Sequence, residues 1–416
     1  MTNDNAFPAT AIPGQPLGAA ADAPVPSPVF EPPDNPATPV IDQPSDPLPN
    51  IDQQPPIVNP STDFTPPKEE MPKSDSLDYV DTTGAPRWEE TQQAIKDLEK
   101  LTDSRVLVFY IGVFNTLTEE EVDYIYNHIN TFNHPKRITL WLNGPGGQGI
   151  AAAKIVNLIR SYCDSFEVIV PQEAASAMTM LSLGAEKILM GPLSVITPID
   201  TSIASHPLAP KDANNSPVRV EVTQIQKYIE LLNSGMAAEK VDDIKKSPYA
   251  LLSEHVHPLV IGTIQRSFSL SKMITSDILR THLKDEEKIA SIVNALNDMF
   301  PTHSYPINLK KAQELGIQAE QMPEELSEKT LKLLKIIKGL EKGSEYEKEG
   351  VKIKAERPVI IESIGMRSVW YLEKRFVMGD KKSWVRTSSD GRYIVMIPKR
   401  DEKGITRITR VDPSSL

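Results

Sequence analysis

The pattern of apolar and polar residues changes abruptly at Arg105. The run 106–111 is apolar throughout, which is typical of a strand that is buried on both faces of a parallel sheet. The segment 116–132 predicts a helix, because acidic residues fill its first turn and Ile125 and Ile129 recur at helical spacing. We therefore expect a strand followed by a helix where the folded part of the chain begins.

Short apolar runs alternate with a helical segment in the residues that follow. The runs predict strands at 138–142, 166–170, 188–190 and 195–196, and a helix at 150–162. Strands that alternate with helices predict an α/β fold in which crossover helices connect a parallel sheet. In sheets of this kind, binding and catalytic sites form at the carboxyl ends of the strands.

The second half of the chain has a helical pattern first and the alternation of a β-sheet afterwards. Helices are predicted over 222–233, 237–246, 257–281, 284–300, 309–315 and 324–340. After Gly343, apolar and polar residues alternate with a period of two. This pattern predicts strands over 359–363, 369–373, 384–387 and 392–397. The Ser-Ser-Asp-Gly segment 388–391 predicts a hairpin turn, so we expect a small C-terminal β appendage.

Residues 1–86 differ in composition from the rest of the chain. They contain 20 of the 36 prolines and 13 acidic residues against two lysines, so they carry the whole net charge of −11. Such a proline-rich acidic segment cannot bury enough apolar surface to offset the entropy lost on ordering. We interpret it as a disordered tail, either a solvated spacer or a docking segment for a partner. The remaining residues have no net charge and offer no basic footprint for nucleic acid.

Targeting, membrane and metal signals are not recognisable in the sequence. The first residues lack the basic and apolar regions of a secretory signal, and no run approaches the roughly 18 apolar residues that span a bilayer. The single cysteine, Cys163, excludes an internal disulfide framework. No cluster of histidine, cysteine and acidic residues predicts a metal site. We expect a cytoplasmic protein that has no membrane span and needs no metal or cofactor.

The candidate chemistry lies in two short motifs, each of which follows a predicted strand. The first, 143–149, reads Asn-Gly-Pro-Gly-Gly-Gln-Gly, and Gly146 and Gly147 allow backbone N–H groups to point outward. The second, 172–178, reads Gln-Glu-Ala-Ala-Ser-Ala-Met and places the Ser176 hydroxyl among small residues. Hydrolysis of an amide needs a nucleophile and donors directed at the developing oxyanion. The motifs supply both, whereas the alternative interpretation is a tight turn beside a serine chosen for close packing.

Together with four other segments, these motifs resemble a known family. The other segments are 183–185, 191–200, 301–307 and 311–317. The set is similar to the Clp-protease and crotonase superfamily, and within it to the serine dehydrogenase proteinase family, relatives of signal peptide peptidase A. The resemblance covers roughly residues 100–322. It implies a Clp/crotonase-like parallel sheet, hydrolysis of extended peptides without a cofactor, and a homo-oligomer assembled through the helical arm 222–281.

The resemblance also implies roles for individual residues. Ser176 would be the nucleophile, and the backbone N–H groups of Ala177 and of Gly146 or Gly147 would form the oxyanion hole. One departure concerns the base, because Thr197 stands where Clp-type peptidases have a histidine. A hydroxyl cannot take a proton from Ser176 near neutral pH, so the histidine triad does not transfer to this chain.

Two replacements for the missing base, or no base at all, remain open. A lysine of lowered pKa could act as in signal peptide peptidase A, and Lys211 and Lys227 follow Ser176 at plausible distances. His303 aligns near the third triad position of Clp peptidases, although it could equally be a structural histidine. The last alternative is that the chain has no competent base.

These observations predict a domain division and three competing functions. The division is a tail over 1–86, a peptidase-like domain over 100–322, a linking helix over 323–343 and the β appendage over 350–416. The favoured hypothesis is a serine peptidase-like protein that hydrolyses extended peptides as a homo-oligomer. An inert oligomeric scaffold is the first alternative, because Thr197 replaces the histidine. A crotonase-type enzyme that binds acyl-CoA is the second, although the Ala-Ala-Ser-Ala context disfavours it.

Overall fold

The structure, a computed structural model, describes eight stretches of the chain. These are residues 87–199, 202–203, 220–233, 252–253, 256–343, 345–379, 384–400 and 406–411. The predicted tail 1–86, the predicted helix 237–246 and Lys211 lie outside the described residues. All of the described stretches belong to one structural unit, Pro72–Leu416.

Strands and helices alternate along the first part of the chain, as the sequence predicts. The strands are β1 (Arg105–Ile111), β2 (Arg137–Asn143), β3 (Ser165–Val170), β4 (Glu173–Ala174), β5 (Lys187–Met190), β6 (Val195–Ile196), β7 (Ser202–Ile203), β8 (Val220–Glu221), β9 (Ala319–Gln321), β10 (Glu345–Lys348), β11 (Val351–Ser363), β12 (Met366–Met378), β13 (Trp384–Arg400) and β14 (Thr406–Val411). The helices are α1 (Trp88–Thr102), α2 (Glu120–Asn130), α3 (Gly149–Tyr162), α4 (Ala177–Leu183), α5 (Val222–Asn233), α6 (Pro258–Arg280), α7 (Glu286–Asn294), α8 (Leu309–Glu314) and α9 (Glu324–Glu341). A π-helical turn, Ala295–Met299, continues α7.

A 10-stranded mixed sheet forms the centre of the fold, in the order β14-β13-β12-β11-β1-β2-β3-β5-β9, with β10 beside β11. The strands β1, β2, β3, β5 and β9 are parallel to one another. The strand β11 joins β1 in antiparallel pairing, and β12, β13 and β14 continue antiparallel. The predicted α/β class with a parallel sheet is therefore confirmed. Within the described stretches, no helix combines the length and apolar character needed to cross a membrane.

The strand β1 is buried on both faces, as its continuous apolar sequence predicts. Leu107 and Phe109 belong to the core that contains residues of α2, α3, α4 and α6. Val106 and Val108 point to the other face and pack in a second core, which contains residues of α1 and α9. All four side chains are completely buried. The parallel sheet is thus covered by helices on both sides, which is the arrangement that such sheets require.

The predicted hairpin turn at 388–391 is wrong, because β13 is one continuous strand. Ser389, Asp390 and Gly391 pair in register with consecutive residues of β12. Gly391 serves close packing instead of a turn, since a Cβ atom there would lie 2.6 Å from the ring of Trp370. The predicted strands 384–387 and 392–397 are therefore parts of one strand, β13.

The helix α2 begins later than predicted, at Glu120 instead of residue 116. The preceding residues are held by two other contacts. Leu117 forms a parallel bridge with Gly147 in the glycine turn. The Glu121 carboxylate accepts hydrogen bonds from the Thr118 backbone N–H at 2.7 Å and from its hydroxyl at 2.8 Å. The start of α2 is therefore fixed by the glycine turn, which lies far from it in sequence.

Candidate active site

The two predicted motifs lie edge to edge at the carboxyl ends of β2 and β3. The Gly144 N–H donates to the Glu173 carbonyl oxygen at 2.9 Å, and the Ala175 N–H donates to the Gly144 carbonyl oxygen at 3.0 Å. On its other edge, β4 pairs with β6. These bonds form a small backbone ledge outside the main sheet. The ledge brings the glycine turn and the Ser176 turn together although they follow different strands.

Ser176 has an unusual backbone conformation at the start of α4. Its φ of 53° and ψ of −115° lie in a region that L-residues rarely occupy. Serine at this position commonly caps the helix through its side chain, but Ser176 makes no capping hydrogen bond. The residue is partly exposed, whereas Ala175 and Ala177 beside it are buried. The Ser176 hydroxyl is therefore not used to cap the helix that it precedes.

Gly146 lies so close to Ser176 that no side chain fits between them. Its φ is +101°, and a Cβ atom there would lie 2.6 Å from the Ala175 carbonyl oxygen and 2.7 Å from the Ser176 Cβ. Gly147 has a φ of +148° and is equally confined, since its Cβ would lie 2.3 Å from the Leu117 carbonyl oxygen. Both glycines are therefore required by the close approach of neighbouring backbone.

Backbone N–H groups beside Ser176 are free to bind a ligand, among them those of Gly147 and Ala177. The Leu117 bridge uses the carbonyl of Gly146 and the N–H of Gln148, so the Gly147 N–H is not part of it. Ala177 is the first residue of α4, and such residues have no acceptor within their helix. Among the described residues, neither the Gly147 N–H nor the Ala177 N–H meets a hydrogen-bond acceptor. Both amides are donors of the kind that an oxyanion needs.

A cavity of about 600 Å³ adjoins these groups. Ser176, Ala177, Gly146, Gly147 and His303 all line it. The remaining walls come from the segment 113–116, the rest of the glycine turn, one face of α6, and the residues Met180 and Ile199. The contribution of α6 is not visible in the sequence, because helical periodicity shows which face of a helix is buried and not what that face contacts.

His303 reaches the cavity through a backbone pairing that follows it in sequence. The N–H of Ile196 donates to the carbonyl oxygen of Ile307 at 3.0 Å, and the reverse bond measures 2.9 Å. This pair holds the segment after His303 against the strand that leads into Thr197. No lysine, arginine, aspartate or glutamate occurs among the described residues that line the cavity. His303 is thus the ionisable side chain that the described structure offers there.

The lysine candidates do not join this cavity in the described structure. Lys227 lies on α5, where its side chain is 60% exposed and its ammonium group lies 2.7 Å from the Glu230 carboxylate. This lysine is solvated and bonded to its own helix neighbour, so it does not reach Ser176 in the described structure. Lys211 lies outside the described residues. Within the described stretches, no group of three or more histidine, cysteine and acidic residues is placed to hold a metal ion.

Thr197, which replaces the expected histidine, contacts the backbone of Ser176. Its hydroxyl oxygen accepts a hydrogen bond from the Ser176 N–H at 3.0 Å, and its side chain is buried. The sequence identified this position only by what it lacks. Its contact with Ser176 depends on the pairing of β4 with β6, which no local pattern announces.

The fold and the ledge are those of an α/β protein with a parallel set of strands in its central sheet. Residues 95–268 match the family model described as ClpP-like SDH-type serine proteinase. The predicted family resemblance is therefore confirmed, and this family supports a peptidase-like function.

Three individual proteins are similar to this chain, with identities between 15% and 28%. An uncharacterized protein of Methanocaldococcus jannaschii is 28% identical over 223 residues, which are 53% of this chain and 66% of that protein. A solved mutant of the 1510-N membrane-bound stomatin-specific protease is 17% identical to this chain. The match covers 55% of this chain and 82% of that chain, with a TM-score of 0.28. ClpP1 from Listeria monocytogenes is 15% identical to this chain. The match covers 55% of this chain and 98% of that chain, with a TM-score of 0.24. The chain spans about two thirds of the length of the archaeal relative.

Proposed function

We propose that this protein is a serine peptidase that hydrolyses extended peptides through Ser176. The observation that carries the proposal is the convergence of three groups on one cavity. These are the Ser176 side chain and the backbone amides of Gly147 and Ala177. A nucleophile beside two free N–H donors is the minimum that acyl transfer requires. The family match of residues 95–268 supports the same reaction.

In the proposed reaction, the Ser176 Oγ attacks the carbonyl carbon of the scissile peptide bond. A new C–O bond forms, and the carbonyl oxygen becomes an oxyanion that the N–H groups of Gly147 and Ala177 stabilise. Collapse of this intermediate breaks the C–N bond and releases the amine product. Water then attacks the acyl-serine and releases the carboxylic acid, which restores the Ser176 hydroxyl.

We assign the proton transfers to His303. Its ring would take the Ser176 proton during attack and give it to the leaving amine, as a histidine base does in related chemistry. The assignment rests on its place in the cavity wall, where the described residues include no other ionisable side chain. The turn that carries it is held in part by stacking of Phe300 on Tyr305, whose ring centres lie 4.6 Å apart.

A fluorophosphonate probe tests the nucleophile directly. The serine oxygen displaces fluoride from phosphorus, so a P–O bond forms, the P–F bond breaks and the probe stays attached. We expect labelling of the full chain and of S267A, and no labelling of S176A. Ser267 is a matched control, because it is a second serine that lines the same cavity. Equal labelling of S176A and the unchanged protein would contradict the proposal.

A second pair of variants tests the base. We expect H303Q to label roughly 100-fold more slowly, since a positioned base contributes about that much to such a step. The control is H257Q, because His257 only caps the start of α6 through its contact with the Leu259 N–H. Normal labelling of H303Q with loss in a Lys211→Met variant would move the assignment to Lys211.

An inert scaffold and an acyl-CoA enzyme are the competing functions. Loss of the usual histidine at Thr197 favours the scaffold, and failure of the unchanged protein to label would select it. Binding of coenzyme A is disfavoured because the described lining of the cavity holds no lysine or arginine for its phosphates. A calorimetric titration with a coenzyme A thioester that shows no heat would remove this alternative.

We also propose that the protein is a homo-oligomer that assembles through its helical arm. Large apolar side chains are exposed on α6, including Leu259 at 63% and Met273 at 56%. Association through α6 would remove these side chains from water, which favours an interface there. We expect light scattering to give a multiple of the chain mass, and a monomeric L259E/M273E variant. A monomeric unchanged protein would contradict this proposal.

A further inference from the structure

Ser176 keeps a strained backbone, although its carbonyl oxygen accepts a hydrogen bond from the Met180 N–H of α4 at 3.0 Å. Its φ of 53° and ψ of −115° place it outside the regions that L-residues occupy freely. Such a conformation persists only where surrounding contacts impose it. The contact that acts on its own N–H comes from Thr197, at 3.0 Å.

Thr197 is itself held by a buried neighbour, Thr179, whose hydroxyl oxygen accepts a hydrogen bond from the Thr197 N–H at 3.2 Å. The same oxygen lies 2.9 Å from the Thr197 carbonyl oxygen and 2.8 Å from that of Ala174, so its proton is donated to one of them. The Thr197 hydroxyl, in turn, lies 3.2 Å from the Pro198 carbonyl oxygen and donates to it. The side chains of Thr179 and Thr197 are both buried.

This chain of bonds fixes the polarity of the Thr197 hydroxyl. Because its proton goes to the Pro198 carbonyl, its oxygen is available to accept from the Ser176 N–H. The bond also determines which amides face the cavity. The Ser176 N–H is committed to Thr197, so the next amide, that of Ala177, is the one left as a donor at the start of α4.

We propose that Thr197 is a positioning residue that holds the Ser176 turn in the conformation needed for attack. The inference rests on the proposed peptidase function and extends it to a residue that has no part in proton transfer. The position that a histidine base occupies in similar peptidases would thus act here through the backbone of the nucleophile. Loss of the hydroxyl should slow reaction of Ser176 without changing its protonation.

The test compares T197V and T197S in fluorophosphonate labelling of the full chain. Valine keeps the shape of threonine and removes the hydroxyl, whereas serine keeps the hydroxyl. We expect T197V to lower the maximal labelling rate roughly tenfold, because removing one hydrogen bond that stabilises the reactive geometry has about that effect. The concentration of probe at half-maximal rate should change little. T197S should label within about twofold of the unchanged protein, as expected when the bond is retained.

A pH profile separates positioning from proton transfer. The labelling rate of T197V should fall by the same factor at each pH from about 6 to 9, since a group that only holds geometry does not alter the base. The matched control is T330V, because the Thr330 hydroxyl is buried and has no hydrogen-bond partner among the described residues. T330V should label normally. Circular dichroism confirms that each variant is folded, and T197A replaces T197V if valine prevents folding.

The outcomes distinguish this inference from the proposed function. No Ser176-dependent labelling of the unchanged protein would overturn the peptidase proposal and with it the role of Thr197. Normal Ser176-dependent labelling together with an unchanged rate in folded T197V or T197A would overturn the role of Thr197 alone. Slow labelling of folded T197S would overturn it as well, because the hydroxyl would then not be the group that matters.

Discussion

At the scale of single residues, the candidate site depends on backbone groups that approach one another without side chains between them. Gly146 shows this most clearly, since a Cβ there would meet both the Ala175 carbonyl oxygen and the Ser176 Cβ within 2.7 Å. Contacts this short must be relieved by movement of the Ser176 turn or of the glycine turn. Either movement separates the hydroxyl from the Gly147 amide.

We therefore expect G146A to lose at least about 100-fold in the rate of fluorophosphonate labelling, the loss seen when an oxyanion donor is removed. The measurement is the labelling rate of the full chain at neutral pH. The matched control is G262A on α6, where an added Cβ meets nothing within 4 Å. It should label normally and be about 0.5–1 kcal/mol more stable, as alanine is in a helix. A G146A variant that is labelled at the normal rate would disprove the close approach of Gly146 to the Ser176 turn.

His128 provides a second prediction at this scale. Its side chain is completely buried, and its two ring nitrogens lie 2.7 Å from the Ser363 hydroxyl and 3.0 Å from the Ser368 hydroxyl. Burial away from water lowers its pKa to about 3. In the unfolded chain, His128 takes up a proton as the pH falls below about 6.5, whereas in the folded chain it stays neutral down to about pH 3. Stability should therefore fall as the pH decreases between these two values.

The expected loss is about 1.4 kcal/mol in the free energy of unfolding for each pH unit below 6.5, down to about 3. Urea denaturation of the full chain at pH 7, 6 and 5 measures it. In an H128Q variant, the free energy of unfolding should fall less steeply with decreasing pH, by this amount. Burial also lowers the pKa of His282, to about 4, so some acid sensitivity remains in the variant. An identical slope in H128Q would show that His128 is accessible to protons.

The sequence alone identifies Ser176, Gly146 and Gly147 as candidates, because small residues that follow strands are visible in a linear pattern. It does not identify the positions of His303 and Thr197 relative to them. Those depend on bonds between β4, β6 and the segment before α8, which are far apart in the chain. Tertiary pairing of short strands leaves no periodic signal in the sequence, so this part of the site is visible only in the folded chain.

At the scale of elements, a buried polar cluster joins α1 to the hairpin of β11 and β12. The carboxylate of Glu362 accepts hydrogen bonds from the Thr91 hydroxyl at 2.6 Å and from the Gln92 amide at 2.8 Å. It also pairs with the guanidinium of Arg367 at 2.8 Å. Both charged side chains are almost completely buried. Each charge is tolerated there only because the other is present.

Removal of one partner should therefore destabilise the fold strongly. We expect R367M to lower the free energy of unfolding by about 3–5 kcal/mol, since it leaves the Glu362 carboxylate buried and unpaired. The double variant E362L/R367M should cost less than R367M alone, because it leaves no buried charge. Urea denaturation measures both values.

The control is the exposed pair of Arg280 and Glu286, whose nearest atoms lie 2.9 Å apart. E286Q should leave the unfolding transition unchanged, because water screens this pair in both states. A double variant as unstable as R367M would indicate that packing, and not charge, holds the hairpin.

The elements themselves differ in how well the sequence predicts them. The strand β1 is predicted correctly because burial on both faces produces an unbroken apolar run. The strand β13 is not, because Ser-Ser-Asp-Gly has the composition of a turn although it pairs with β12 throughout. Local composition favours a turn there, and the pairing of long antiparallel strands overrides it.

At the scale of the whole molecule, the C-terminal strands continue the central sheet. The strand β11 pairs with β1, with Phe109 opposite Ile361 and Ile111 opposite Val359. Ile361 and Val359 are buried in the same core as Phe109, and Tyr393 of β13 joins them there. The Tyr393 hydroxyl donates to the Glu121 carboxylate on α2 at 2.6 Å. The antiparallel half of the sheet therefore shares its core with the half that carries the candidate site.

This shared core predicts opposite effects for two truncations. A chain that ends at Gly343 loses β10 to β14, which uncovers β1 as an exposed apolar edge and removes buried side chains worth about 1.5–3 kcal/mol each. We expect it to aggregate or to lack a cooperative thermal transition. A chain that ends at Arg400 loses β14, which forms the outer edge of the sheet, and should unfold cooperatively. Circular dichroism during heating distinguishes the two. A soluble, cooperatively folded chain ending at Gly343, with Ser176 still reactive toward the fluorophosphonate, would show that the parallel half of the sheet folds without its antiparallel extension.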